Sequence, residues 1–180
     1  MFDRLPALPL WVNDPYISFW MPADKLTDAD STHWCGPKKP IRGTMVIDGA
    51  EYRYLGLGDA EAAECVAQQV TPTRTIASFE AGGVKLTLTF IGCALPHDLD
   101  MLSAPVTLVK WDLASADGMS HEVKVNFTLS DRLACDGDAL PAMLSRVYSQ
   151  DGFQVAFAGQ LKQKLLSTCG DHTTIDWGYM

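Results

Sequence analysis

Four dipeptides, Asp48-Gly49, Gly82-Gly83, Asp117-Gly118 and Asp151-Gly152, each stand between runs of alternating apolar and polar residues. Such pairs readily take the left-handed backbone that a tight two-residue turn between antiparallel strands requires. Met45 and Ile47 lead into the first pair, and Tyr52 and Tyr54 follow it. After the second, Val84, Leu86, Leu88 and Phe90 fall on one face and Lys85, Thr87 and Thr89 on the other. That is a strand with one dry side and one wet side. Val123, Val125, Phe127 and Leu129 repeat the alternation after the third pair, as do Phe153, Val155 and Phe157 after the fourth. Turns at such intervals leave little room for helix. The pattern predicts an all-β chain, an antiparallel, hairpin-rich β-sandwich with an irregular N-terminal strap.

The division expected is a strap over residues 1–42 and a sandwich over residues 43–180, incomplete at its C-terminal end. The chain stops at Met180 within a strand-like aromatic segment that begins at Thr173. Helical signal is confined to "GDAEAAECVAQQV", where Ala and Glu favour a turn or two from Asp59. Val70 to Thr73 favours extended backbone.

The formal net charge of −8 excludes a phosphate-backbone partner, which needs clustered Lys and Arg. Lys38, Lys39 and Arg42 form the basic cluster, and beside Pro37 and Pro40 they read as a solvated loop. No run approaches the ~20 apolar residues of a membrane helix, and "LPALPLWV" is broken by two prolines. "MFDRLPALPL" lacks the charged-then-apolar form of a secretion leader. The five cysteines, Cys35, Cys65, Cys93, Cys135 and Cys169, form no CxxC pair, so neither a disulfide framework nor a zinc site is expected. They read as buried free thiols, and neither a metal nor a cofactor is expected.

Motifs of nucleophilic, metal-hydrolytic or phosphate-binding chemistry are absent: there is no GxSxG, HExxH or GxxxxGK[ST]. Gly56 and Gly58 in "LGLGDAEAAE" lack the third glycine and the parallel βαβ setting of a dinucleotide loop. "NFT" at Asn126 to Thr128 lies mid-strand and reads as an accidental glycosylation match. His97, with Asp98 and Asp100, reads as a turn before Leu99 and Leu102 enter the core. His121, at a hairpin, and His172, beside Asp171, read as exposed loop residues.

The densest chemistry lies in "VNDPYISFWMPADKLTDADSTHWCG", Val12 to Gly36. Asp24, Asp28, Asp30, His33 and Trp34 cluster there. Paired carboxylates serve as general acid and base, or capture a cation or sugar hydroxyls, and a tryptophan supplies a stacking face. The competing reading has Asp28, Asp30 and Ser31 capping a short turn while Trp11, Trp20 and Trp34 anchor the strap in the core. Composition favours the structural reading.

The same stretch resembles the opening signature of the glutaminase A-like family: PL-x-x-x-DPY-x-S-x-W, then ADKLTD, then HW-x-G. Pro9, Leu10, Asp14 to Tyr16, Ser18, Trp20, Ala23 to Asp28, His33, Trp34 and Gly36 carry the match. "GTMVIDGAEYRYLG", the long run from "VTPTRTIASFEAGG" through "HEVKVNF", and "IDWGYM" continue it. Cys35 stands where the family more often has a small polar residue. The resemblance implies an N-terminal β-sandwich region that precedes an α-helical toroid in a large secreted or periplasmic protein. It places the catalytic groups in the toroid.

No catalytic residue is therefore assigned to this chain. Asp24, Asp28, Asp30, His33 and Trp34 are the expected docking or substrate-binding residues. The expected partner is the toroid, with glutamine or a sugar as the small molecule at their interface. The family's reaction is hydrolysis of the L-glutamine side-chain amide. Three readings make distinct demands. A docking strap wants Trp11, Trp20 and Trp111 buried, and a carbohydrate module wants exposed coplanar tryptophans. Amide hydrolysis by the chain itself wants Asp30 and His33 within hydrogen-bond reach in a cleft.

Overall fold

A computed structural model describes residues 5–136, 141–167, 174 and 176–180. The strap contributes three short strands, β1 (Leu8–Val12), β2 (Ser18–Met21) and β3 (Thr32–His33), paired antiparallel in that order. Next come β4 (Ile41–Ile47), β5 (Ala50–Leu55) and β6 (Glu61–Ala62), then β7 (Glu64–Thr71), β8 (Arg74–Ala81) and β9 (Val84–Gly92). A five-residue helix, α1 (Leu99–Ser103), precedes β10 (Thr107–Ser115) and β11 (Val123–Leu129). A 3-10 turn (Asp131–Ala134) leads to the final hairpin, β12 (Met143–Gln150) and β13 (Phe153–Gln160).

Two four-stranded sheets form the sandwich, ordered β11-β4-β5-β6 and β10-β9-β8-β7. Their facing residues are the alternating apolar ones anticipated from the pattern. Ile41, Met45, Ile47, Tyr54 and Leu55 on one sheet and Ala77, Phe79, Val84, Leu86, Leu88 and Phe90 on the other are buried in one core. Asp48-Gly49, Gly82-Gly83 and Asp151-Gly152 close hairpins with positive φ at both residues.

The third dipeptide behaves differently. β10 pairs with β9 and β11 pairs with β4, so Asp117-Gly118 lies in a crossover between the two sheets and not in a hairpin. A turn signal marks where the chain bends. Which strand it then joins is decided by non-local pairing.

Tyr54 ties the layers together. Its hydroxyl donates to the Asn126 carbonyl at 2.8 Å and accepts from Trp111 Nε1 at 3.1 Å, so β5, β11 and β10 meet at one phenol. Burial pushes that phenol's pKa up to about 12.

The strap belongs to the same core: Leu8, Leu10, Phe19, Met21 and Leu26 are buried in it. Thr75 donates to the Pro9 carbonyl at 2.6 Å, Gly56 N–H to Leu26 at 2.7 Å, and Asn13 Nδ2 to Val106 at 3.0 Å. Strap and sandwich therefore share backbone hydrogen bonds as well as side-chain packing.

Several local expectations are corrected. The helix expected from Asp59 is absent, because β7 pairs with β8 over its length and a ladder outweighs propensities of a few tenths of a kcal/mol. Leu99 and Leu102 do not enter the core; they are exposed on α1, which Asp98 caps by accepting from Met101 N–H at 3.0 Å. Of the cysteines, Cys135 is buried, Cys65 and Cys93 are half-buried and Cys35 is exposed. Cys169, His172 and the expected strand start at Thr173 lie outside the described residues. Near Met180 the chain does reach β13, where Ala158 and Met180 exchange backbone hydrogen bonds at 2.8 and 2.9 Å.

Candidate functional site

The strap's conformation is set by its own polar residues. The Asp14 carboxylate accepts from the backbone N–H groups of Tyr16 and Ile17 at 2.7 and 2.8 Å, folding "NDPY" into a tight turn. That turn presents two carbonyls to the segment after β3. Pro15 O accepts from Trp34 Nε1 at 2.7 Å, and Tyr16 O meets His33 Nε2 at 3.2 Å. Gly36, at φ +117°, lets the chain double back so that its N–H reaches the His33 carbonyl at 2.9 Å.

The five singled-out residues separate into two kinds. Asp30 and His33 are committed inward. The Asp30 carboxylate receives both Arg42 Nε and Nη2 at 2.8 Å, plus Leu57 N–H at 3.3 Å. The paired guanidinium holds its pKa below the usual carboxylate range and raises that of Arg42. His33 is only 1% exposed, with Phe19 edge-on against its ring. Burial lowers its pKa. Its nitrogens face Cys35 and Tyr16, while the Asp30 oxygens face Arg42 and Leu57.

Asp24, Asp28 and Trp34 are exposed. The Asp24 carbonyl accepts from Gln68 Nε2 at 2.9 Å, and Thr27 Oγ1 donates to Asp28 at 3.3 Å. Trp34, 55% exposed, stands with exposed Tyr16 on the strap's outer side. Trp11, Trp20 and Trp111 are half-buried where the structural reading asked for full burial. Each is nonetheless engaged: Trp11 edge-on to Phe19, Trp20 donating to Ser18 Oγ at 2.8 Å, and Trp111 bound to Tyr54. Beside the strap lies an apolar hollow of about 310 Å³ lined by Trp11, Ile17, Phe19, Leu133, Trp177 and Met180.

Two charged centres went unread in the sequence. Lys39 is 1% exposed and donates from Nζ to the carbonyls of Arg132, at 2.7 Å, and Cys135, so it is no part of a solvated loop. His121 is no free loop residue either. Its Nδ1 meets Asp48 Oδ2 at 2.6 Å and its Nε2 meets Asp117 Oδ1 at 3.1 Å. The Asp48 and Asp117 carboxylates raise its pKa. Asp-Gly spacing marks both turns, but only the folded crossover carries His121 to Asp48. Among the described residues, no group of three or more His, Cys, Asp or Glu side chains is placed to hold a metal ion. No helix among them is long and apolar enough to cross a membrane.

Two family models match in succession: residues 3–67 the one described as Domain of unknown function (DUF4964), and residues 73–180 the one described as Domain of unknown function (DUF5127). The chain is similar to Glutaminase A of Aspergillus oryzae, at 25% identity over 186 residues. The aligned part covers 97% of this chain and 26% of that protein, so the chain spans about a quarter of its relative's length. No solved structure matches it.

Proposed function

From the premise that this chain belongs to the DUF5127 family over residues 73–180, we propose that it is the non-catalytic N-terminal β-sandwich module of a longer glutaminase A-like amidohydrolase. In this reading the strap of residues 1–42 docks the sandwich of residues 43–180 onto an α-helical toroid and edges its active cleft. Asp24, Asp28 and Trp34 face that partner, and Asp30 and His33 hold the strap in shape. The parent reaction is hydrolysis of L-glutamine to L-glutamate and ammonia, with the base for the attacking water supplied by the toroid. The distant likeness to a quarter of Glutaminase A supports the module's place in a larger protein.

One observation carries the non-catalytic assignment. The two strap groups best suited to acid–base chemistry face neighbouring protein groups, Asp30 the Arg42 guanidinium and His33 the Tyr16 carbonyl and Cys35, so neither directs a lone pair at an amide substrate. A general base needs a free lone pair directed at substrate in a cleft, and a carboxylate clamped by guanidinium on both oxygens is a poor one. The exposed Trp34 and Tyr16 rings favour a second reading, a carbohydrate-binding accessory sandwich, since aromatic faces on a rim stack on sugar rings.

Ammonia release from L-glutamine by the purified 180-residue chain tests the first reading, alongside Asp30→Ala and His33→Ala. No release above buffer, from a protein that unfolds cooperatively, is the expected result. Release that disappears in either variant would make the strap an active site and overturn it. Quenching of Trp34 fluorescence by oligosaccharides, lost in Trp34→Ala, would move the assignment to the carbohydrate reading.

A further inference from the structure

We propose that Cys35 is a reactive thiol that exchanges with small disulfides, with His33 as its base and the Tyr16 carbonyl as the orienter of that base. This goes beyond the docking role and does not depend on it.

The geometry fixes the proton positions. A backbone carbonyl only accepts, so the 3.2 Å contact between His33 Nε2 and Tyr16 O requires the ring proton on Nε2. Nδ1 is then the bare nitrogen. It lies 2.9 Å from Cys35 Sγ, and the Cys35 backbone N–H also points to it at 3.4 Å. Two donors thus converge on one lone pair, and the thiol proton is directed at the imidazole. Burial keeps that imidazole neutral at neutral pH, when its lone pair is needed.

Nucleophile, base and orienting group therefore stand in the sequence that thiol activation calls for. The surroundings assist. The His33 ring is held in place by Phe19 edge-on and by Trp34 at 6.0 Å between ring centroids. Cys35 itself is exposed, whereas Cys135 is buried and Cys65 and Cys93 are half-buried.

The step balances without an added oxidant or reductant. The Cys35 proton passes to His33 Nδ1, and the sulfur attacks one sulfur of a disulfide R–S–S–R. The S–S bond of that disulfide breaks, the leaving RS⁻ takes the proton back from His33, and the products are Cys35–S–S–R and RSH.

The test uses the purified chain, oxidised glutathione and mass-mapped adducts, with the unstructured peptide of residues 31–38 as reference. At pH 7 Cys35 is expected to form the mixed disulfide about tenfold faster than the peptide, because His33 takes the thiol proton as the sulfur attacks. Cys35→Ser removes the adduct, and folded His33→Asn falls to the peptide rate. Should His33→Asn fail to fold, the wild-type pH profile decides. The unassisted peptide slows about tenfold per unit below its thiol pKa, while a thiol with a neutral imidazole beside it slows less. A Cys35 rate equal to the peptide's, a profile parallel to it, or a folded His33→Asn with the wild-type rate would each overturn the proposal.

Discussion

The ring of Tyr54 occupies the space where a side chain on Gly43 would begin: a Cβ there would lie 2.3 Å from Cε2 and Cζ of the ring. With glycine at this position, β4 leaves room for the outer end of the phenol that joins three strands. Gly43→Ala is expected to cost about 2–3 kcal/mol by overpacking. Tyr54→Phe keeps the ring but strands Trp111 Nε1, at a cost of about 1–3 kcal/mol for an unsatisfied buried donor. Chemical denaturation of both variants checks these values, and Trp111 emission should shift in the second.

The His121 clasp makes stability depend on pH in a defined direction. His121 has its pKa raised above its ordinary 6.5, so its contribution is full below that value and is lost as pH rises through the folded pKa. Asp48 and Asp117 have theirs lowered below 3.8, so their contribution is present above that value and fades as pH falls through the folded pKa. The clasp is therefore tightest between about pH 4 and 6. His33 acts oppositely: burial depresses its pKa, and its contribution weakens as pH falls below 6.5. The difference in Tm between wild type and His121→Asn should be largest near pH 5 and shrink by pH 9. A difference that stays constant across that range would mean the imidazole carries no charge in the clasp.

Lys38 and Lys39 are neighbours with opposite fates. Lys38 is exposed, while Lys39 is enclosed with its ammonium on two carbonyls. Reductive methylation of the native protein should modify Lys38 and spare Lys39, with both modified after denaturation. Equal modification in the native state would place Lys39 outside.

These outcomes mark how much the chain disclosed in advance. The hairpins at Asp48-Gly49, Gly82-Gly83 and Asp151-Gly152 were legible because turn chemistry is local, and the core faces of β4 and β9 followed from a period of two. The partners of β10 and β11 were not, since Asp117-Gly118 has the same composition whether it closes a hairpin or crosses between sheets. Lys39 and His121 were misread for a related reason. Their burial depends on the 3-10 turn after β11 and on the Asp48 turn, both far away in sequence. In the strap, the density of aromatic and acidic residues was visible, but the division into inward Asp30 and His33 and outward Asp24, Asp28 and Trp34 was not. Arg42, which decides it for Asp30, sits in what reads as an unrelated basic cluster.

The two matched regions meet inside a hairpin. The first ends at residue 67 within β7, and the second begins at residue 73, in the turn before β8. β7 lies in a sheet otherwise built from the second region, and β11 of the second region lies in a sheet otherwise built from the first. Expression of residues 73–180 alone is expected to give a chain without a cooperative unfolding transition, because β11 loses β4 and the core loses Ile41, Met45, Ile47, Tyr54 and Leu55. A sharp thermal transition and dispersed amide resonances from that piece would show that the second region folds unaided.

This interleaving also bears on descent. A recombination event that broke the coding sequence between residues 67 and 73 would leave each four-stranded sheet of the sandwich with three strands on one daughter and the fourth on the other, and neither daughter with a complete sandwich. The two regions can drift in sequence separately, but they can be gained, lost or grafted onto a new neighbour only together, as a single heritable body.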